Sequence, residues 1–196
     1  MPNHCTNNLT ITGNKDEIRR FHTAIIQGEK QEWEQFRILD NLLPTPEELR
    51  NTVKGYVGED KQEELERQYQ NNLLKYGFKD WYDWSCANYG SKWSDYEGSF
   101  SSIGDEYLML SFNSAWSPIQ IGIENVSKQF PTLNFLLSWH EGGCAFLGGA
   151  SIRNGETLKL IEGDYPDVES DDDYDAQYEK VSVQIEEIEK ELALSF

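Results

Sequence analysis

The sequence contains no long apolar run. No stretch approaches the roughly 18 consecutive apolar residues that a membrane-spanning helix requires. The first ten residues, MPNHCTNNLT, have neither the basic start nor the apolar centre of a secretory signal peptide. We therefore expect a soluble protein of the cytoplasm that does not associate with a membrane.

Cysteine and histidine are scarce. The three cysteines, Cys5, Cys86 and Cys144, form no C-x-x-C pair, and in a cytoplasmic chain we expect reduced thiols. His140 and Cys144 are four residues apart across a glycine turn, but the other histidines and cysteines are distant in sequence. Because zinc takes four nitrogen or sulfur ligands at characteristic spacing, we predict no metal site and no cofactor.

The acidic run DDDYD resembles the start of a calcium-binding loop. Asp171, Asp173 and Asp175 occupy positions 1, 3 and 5 of that pattern. Ala176 stands where glycine is needed, and Ser182 stands where a bidentate glutamate is needed. The pattern fails at its most diagnostic positions, which favours a solvated acidic segment.

Motifs for catalysis are also missing. The segment FLGGAS has neither the lysine of a phosphate-binding loop nor G-x-G-x-x-G spacing. Cys144 follows His140 and Glu141, but adjacent strand residues point to opposite faces, so both side chains do not readily reach the thiol. We predict that the protein is not an enzyme.

Basic residues are few, and the acidic residues are unevenly placed. Seventeen Lys and Arg against 35 Asp and Glu leave a net charge of −18, which argues against direct binding of a phosphate backbone. Residues 162–196 alone hold thirteen acidic and two basic residues. Such an arm is either a solvated tail or a surface suited to a basic partner.

Apolar and aromatic residues are sufficient for a packed core. They make up 38% and 13% of the chain, and strand-like and helix-like periods alternate along it. The predicted elements, in order, are the strand CTNNLTITG, the helix NKDEIRRFHTAIIQG, the strand EYLMLSFNSAW, the helix SPIQIGIENVSKQF, and the strands TLNFLLSWHE, CAFLGGASIRNGE and TLKLIEG. Asn14 is predicted to cap the first helix, and Ser117 with Pro118 to start the second. This order predicts an α+β, ferredoxin-like (split β-α-β) antiparallel sheet with helices on one face, built from residues 1–28 and 106–161.

Residues 29–105 interrupt this core as a mainly helical, aromatic-rich insertion. The segment EDKQEELERQYQNNLLKYG has helical spacing and ends at a glycine. It is followed by FKDWYDWSCANYGSKWSDYEGSF, which holds three tryptophans among other rings. So many rings either bury a small core of their own or line a concave binding surface.

The acidic arm divides into a linker and a helix. Residues 162–175 lack periodicity, whereas residues 176–196 carry apolar side chains three and four positions apart. Those side chains are Tyr178, Val181, Ile185, Ile188 and Leu192. A short helix with one apolar seam needs a surface to cover it. That surface is its own domain, a second copy in a homodimer, or a foreign partner.

Three segments resemble the YubB-like family of uncharacterised plasmid and phage proteins. They are MPNHCTNNLTITG, YGSKW and FNSAWSPI…FPTLNFLLSWHEGGCAFLGG, and the likeness extends in order over roughly residues 1–160. The family's insertion motif is closer to Asn-Trp-Gly-Thr-Lys-Trp, whereas this chain has NYGSKW at residues 88–93. The resemblance implies a C-terminal ferredoxin-like domain and a mobile-element origin. It implies no catalytic residues.

These observations favour a non-enzymatic interaction protein of a phage or plasmid. It would bind and inhibit a host protein, such as a defence or nucleic-acid-handling factor with a basic surface. Its acidic side chains would act as a nucleic-acid mimic, in which case removal of residues 162–196 would abolish binding. The candidate partner-binding residues are Trp81, Trp84, Tyr89, Trp93, Trp116, Asp171, Asp172, Asp173, Asp175, Glu186 and Glu187.

Two alternatives remain open. In the first, a small-molecule-binding protein or enzyme has a pocket between insertion and sheet, lined by Trp81, Trp84, Trp93 and Trp116. In the second, the sheet binds single-stranded nucleic acid by stacking bases on its aromatic residues. Those aromatic residues would be Phe112, Trp116, Phe135 and Trp139. For Trp116, which ends a predicted strand, we expect burial against the YGSKW segment.

Overall fold

A six-stranded antiparallel sheet is the centre of the structure, a computed structural model that describes residues 3–28, 34–166 and 174–196. Its strands are β1 (His4–Thr12), β2 (Tyr96–Ile103), β3 (Tyr107–Ala115), β4 (Asn134–Glu141), β5 (Phe146–Arg153) and β6 (Glu156–Asp164). They lie in the order β2-β3-β1-β4-β5-β6, and every neighbouring pair is antiparallel. The first four strands form the split β-α-β arrangement, so the predicted α+β, ferredoxin-like fold is confirmed.

Seven helices accompany the sheet in the described ranges. They are α1 (Lys15–Ile25), α2 (Leu39–Leu42), α3 (Glu47–Arg50), α4 (Glu59–Tyr76), α5 (Trp81–Tyr89), α6 (Gln120–Ser127) and α7 (Tyr174–Ala193). The predicted start of α1 is confirmed, because the Asn14 side chain accepts a hydrogen bond from the Glu17 backbone N–H at 3.0 Å. Within those ranges, no helix combines the length and the apolar content needed to cross a membrane.

The main core lies between one face of the sheet and the helices α1 and α6. Alternate residues of β1, such as Leu9 and Ile11, point into it, as do Phe135 and Trp139 of β4. Phe112 of β3 is buried in the same cluster. Three of the four rings that the base-stacking alternative requires are therefore in the protein interior. These three rings are therefore not exposed on the sheet for bases to stack on.

The C-terminal helix α7 packs on the opposite face of the sheet. Val181, Ile185, Ile188 and Leu192 form a second buried cluster on β4 and β5, and its sheet side chains are Leu136 and Leu147. The approach is close at Gly149, where a Cβ atom would lie 2.7 Å from Leu192. The chain's own sheet thus covers the predicted apolar seam, which is not available for a homodimer. Tyr178, also predicted in the seam, is exposed.

The predicted insertion of residues 29–105 is too long at its C-terminal end. Its last residues form β2, which pairs with β3 and belongs to the sheet. The sequence of this strand, YEGSFSSI, does not alternate regularly between apolar and polar residues, so the strand was not predicted. Its pairing with β3 is also irregular. Its register shifts between Tyr96 and Ser99, next to Glu97 at a φ of 55°.

The start of α6 and the limits of the acidic linker also differ from the prediction. Helix α6 begins at Gln120, and the Ser117 hydroxyl donates to the Gly90 carbonyl at 2.6 Å instead of capping the helix. The acidic linker is shorter than residues 162–175, because β6 extends to Asp164 and α7 begins at Tyr174. Residues 167–173 lie outside the described residues.

The docking of α7 predicts the effect of a matched pair of substitutions. Leu192→Ala should lower the free energy of unfolding by about 2 to 5 kcal/mol, because it leaves a cavity under a side chain that is fully buried. Leu194→Ala removes the same atoms from a side chain that is 87% exposed and should change little. Urea unfolding monitored by circular dichroism measures both. Equal effects would contradict the packing of α7 on the sheet.

Candidate functional site

Helix α5 builds the aromatic wall of the insertion. Asp80 starts this helix by accepting a hydrogen bond from the Asp83 backbone N–H at 3.0 Å. Trp81, Ser85 and Tyr89 follow at intervals of four residues, so they share one face of the helix. All three side chains line the same pocket.

Tyr89 is the fixed point of this wall. Its hydroxyl donates to the Leu43 carbonyl at 2.9 Å and lies 3.1 Å from the Thr45 hydroxyl. Its ring packs edge-on against Trp84, with 5.1 Å between the ring centroids. Burial raises the pKa of Tyr89 to about 12, so the phenol stays protonated near neutral pH. Tyr89 therefore holds the insertion together and does not act as a base.

A buried carboxylate holds the opposite wall. Asp95 accepts hydrogen bonds from the backbone N–H groups of Ile38 at 2.8 Å and Leu39 at 2.9 Å, and so anchors the start of α2. Burial raises the pKa of Asp95 to about 6, although the two N–H groups act in the opposite direction. The adjacent residues Asp40 and Ser94, which both line the pocket, are positioned by this contact.

An open, concave pocket of about 610 Å³ lies between the two walls, at the junction of the insertion with the start of β1 and β2. Its lining residues are His4, Asp40, Thr45, Arg50, Trp81, Ser85, Tyr89, Lys92, Trp93, Ser94 and Tyr96. Trp93 is 42% exposed and offers the largest open ring surface of the four Trp and Tyr side chains in the lining. This volume and the mixture of rings with a few polar groups are typical of a small-ligand site.

The hydrogen bonds inside the pocket hold side chains in place. The Ser94 hydroxyl donates to Asp40 at 3.2 Å, and the Tyr96 hydroxyl lies 3.1 Å from His4 Nδ1. In the part of the chain that the structure describes, no pocket serine or threonine bonds to a histidine. The lining therefore offers rings, donors and charges for binding.

Three of the predicted site residues meet in this pocket. Trp81, Tyr89 and Trp93 line it together. Trp84 is not among the lining residues, and its side chain packs in the main core. The prediction that Trp84 lines a binding surface is therefore wrong.

Trp116 lies outside the pocket, and its predicted burial against the YGSKW segment is also wrong. The YGSKW segment is instead joined to the end of β3 through Ser91. The Ser91 hydroxyl donates to the Ala115 carbonyl at 2.9 Å and accepts from the Ala115 N–H at 3.2 Å. The Trp116 N–H donates to the Asn3 carbonyl at 3.0 Å, and the residue has a φ of 72°. The Trp116 ring is 45% exposed.

The predicted acidic residues are not near the pocket walls. Asp175, Glu186 and Glu187 are exposed on the outer face of α7, where Glu186 pairs with Lys190 at 3.5 Å. Asp171, Asp172 and Asp173 lie outside the described residues. The aromatic and acidic candidates thus belong to two separate surfaces.

The polar residues of the pocket were missed by sequence reasoning. Lys92 directly precedes Trp93 in the predicted aromatic segment, so its proximity was visible in the sequence. Arg50, Asp40 and His4 come from α3, the start of α2 and β1, respectively. No local pattern connects those positions to α5, because only the fold brings them together.

The cluster around Cys144 is not arranged for nucleophilic chemistry. His140 Nδ1 lies 2.9 Å from the Tyr165 hydroxyl. The hydrogen bond to Glu141 raises the pKa of the Cys144 thiol, which disfavours the reactive thiolate. Among the described residues, no three His, Cys, Asp or Glu side chains are grouped closely enough to hold a metal ion.

One family model supports the ferredoxin-like fold. A family model described as the ferredoxin-like domain in Api92-like protein matches residues 95–184, which span β2 to β6 and part of α7. The crystal structure of protein api92 from Yersinia pseudotuberculosis is similar at 11% identity, with a TM-score of 0.45. The likeness covers 87% of this chain and 100% of that chain. No curated protein matches.

Asp95 predicts a specific dependence of stability on pH. Because burial raises its pKa from 3.8 to about 6, the folded state binds this proton more tightly than the unfolded state does. The contribution of Asp95 to the free energy of unfolding should therefore fall by roughly 3 kcal/mol as pH rises from about 4 to about 7. Asp95→Asn removes this titration.

Urea unfolding of both proteins across this pH range measures the difference. The stability advantage of the natural protein over Asp95→Asn should be largest near pH 4 and smallest near pH 7. All other carboxylates are common to the two proteins and cancel. A constant difference across the range would contradict the raised pKa.

Proposed function

We propose that the chain is a non-enzymatic ligand-binding protein and that its site is the aromatic pocket between the insertion and the sheet. The observation that supports this proposal is a concave volume of about 610 Å³ lined by Trp81, Tyr89, Trp93 and Tyr96 together with several polar side chains. The partly exposed rings of Trp81, Trp93 and Tyr96 supply contact area, the buried Tyr89 supports the wall behind them, and the polar groups orient what is bound.

The walls of the pocket are held by buried contacts. Tyr89 joins α5 to the segment after α2, Asp95 joins α2 to the start of β2, and Ser91 joins the end of the insertion to β3. A site held in this way loses little conformational entropy when a ligand enters. Affinity then depends on the contacts inside the pocket.

A wider form of the proposal concerns origin and location. The resemblance to YubB-like plasmid and phage proteins supports a mobile-element product that acts in the host cytoplasm. Under this proposal, the pocket binds a molecule of the host or of the mobile element itself.

The pocket predicts a contrast between two exposed tryptophans. A library of small aromatic compounds is screened by ligand-observed NMR against the natural protein, Trp93→Ala and Trp116→Ala. Compounds that bind the natural protein should no longer show the NMR effect of binding with Trp93→Ala and should still show it with Trp116→Ala. Of these two tryptophans, only Trp93 lines the pocket. Binding that survives Trp93→Ala, or that is lost equally in both variants, contradicts the site.

The outer face of α7 supports a second candidate function, the docking of a basic host protein. Because the apolar side of α7 is covered by the sheet, its acidic side chains point to solvent. They are Asp175, Glu179, Glu186, Glu187 and Glu191. A row of carboxylates on a packed helix attracts a cationic groove, as a nucleic-acid mimic does.

Neutral substitutions test this second function better than a deletion. Removal of residues 162–196 would uncover Leu136 and Leu147 and confound the result. Glu186→Gln with Glu187→Gln should reduce the salt-sensitive retention of basic bacterial proteins on the immobilised chain. Glu63→Gln with Glu64→Gln changes a matched exposed pair on α4 and should not. Equal retention by all three proteins would refute docking through α7.

A further inference from the structure

Two side chains in the pocket carry positive charge without a carboxylate partner. Lys92 Nζ lies 4.1 Å from the centroid of the Trp93 ring. Arg50 makes one long contact, from its guanidinium to the Thr45 carbonyl at 3.4 Å. In the described ranges, neither cation takes part in an ion pair.

The acidic side chain of the lining, Asp40, and the one nearest to Arg50 in sequence, Glu48, are engaged with other residues. Asp40 accepts the Ser94 hydroxyl at 3.2 Å and pairs with Arg37 at 3.5 Å. Glu48, two residues before Arg50, pairs with Lys75 and accepts the Tyr76 hydroxyl at 2.6 Å. The pocket lining thus contains two cations, Arg50 and Lys92, against one carboxylate, Asp40, which Arg37 and Ser94 share.

This local charge differs in sign from the chain as a whole. At a net charge of −18, the protein repels anions at long range. Salt screens such interactions over about 8 to 10 Å, so charges within the pocket dominate for a bound molecule. An anion that enters the pocket would gain from Arg50 and Lys92, whereas a cation would find Asp40 already paired.

The rings add a second requirement. Trp93 is 42% exposed, and Lys92 Nζ lies over one face of its ring. A flat ring that packs on Trp93 would therefore bring an attached anionic group within reach of Lys92. Arg50, also in the pocket lining, offers a planar guanidinium suited to phosphate or carboxylate oxygens.

From this arrangement we infer that the pocket binds a small planar aromatic anion, a ring that carries a phosphate or carboxylate group. The inference rests on the proposed ligand-binding function and specifies the chemistry of the ligand. Trp81 and Trp93 contact the ring, and Arg50 and Lys92 contact the anionic group.

Isothermal titration calorimetry with four probes tests the inference. The probes are adenosine monophosphate, 2-naphthoate, adenosine and inorganic phosphate. We expect a ring with an anion to bind at least about tenfold more tightly than adenosine or phosphate alone, because each probe of the second pair lacks one half of the contacts. The comparison of the first two probes distinguishes phosphate from carboxylate.

Substitutions that remove the positive charges test whether Lys92 and Arg50 cause the preference for an anion. Lys92→Gln with Arg50→Gln should weaken binding of the preferred anion by about tenfold or more and weaken adenosine binding much less. Lys61→Gln, which removes an exposed cation of α4 outside the pocket, should have no effect. Equal affinity for the anions and adenosine, or an unchanged affinity in the double variant, overturns the inference.

The outcomes separate this inference from the proposed function. If aromatic compounds bind in a Trp93-dependent way but neither anionic probe binds better than adenosine, the pocket is a ligand site and the inferred charge preference is wrong. If no compound and no probe binds in a Trp93-dependent way, both are wrong.

Discussion

The buried carboxylate of Asp95 is the contact on which the pocket depends. The insertion leaves the core after α1 and must return to the sheet at β2. Asp95 stands one residue before β2 and accepts hydrogen bonds from the backbone of Ile38 and Leu39, near the start of the insertion. This side chain therefore helps to join the two ends of the inserted segment, together with the Gln35 N–H, which donates to the Gly98 carbonyl at 2.8 Å. Its raised pKa shows that burial of the charge is costly.

The fold uses the two faces of its sheet for different purposes. One face packs on α1, α6 and the insertion, whose outer edge forms the pocket. The other face is partly covered by α7, which turns its acidic side chains to solvent. The six acidic side chains of α7 are thus on the opposite side of the sheet from Arg50 and Lys92. This separation allows a strongly acidic protein to keep a locally positive binding site.

Sequence reasoning succeeded where the signal is local. The cap at Asn14 and the helix that ends before Gly77 follow from adjacent residues. It failed where position depends on contacts between distant segments. Trp84 and Trp93 have similar surroundings in sequence, yet the first is buried and the second exposed. An apolar seam shows that α7 needs a covering surface without specifying which one, and no local pattern places Arg50 beside α5.

The most direct test of the account is ¹⁹F NMR of the protein labelled with 5-fluorotryptophan. Its six tryptophans give separate signals, which Trp→Phe variants assign. Addition of adenosine monophosphate should shift the signals of Trp81 and Trp93, which line the pocket, and leave those of Trp116 and Trp139 in place. A shift at Trp116 without one at Trp93 would contradict the pocket as the binding site, and no shift at any tryptophan would contradict the binding of this aromatic anion there.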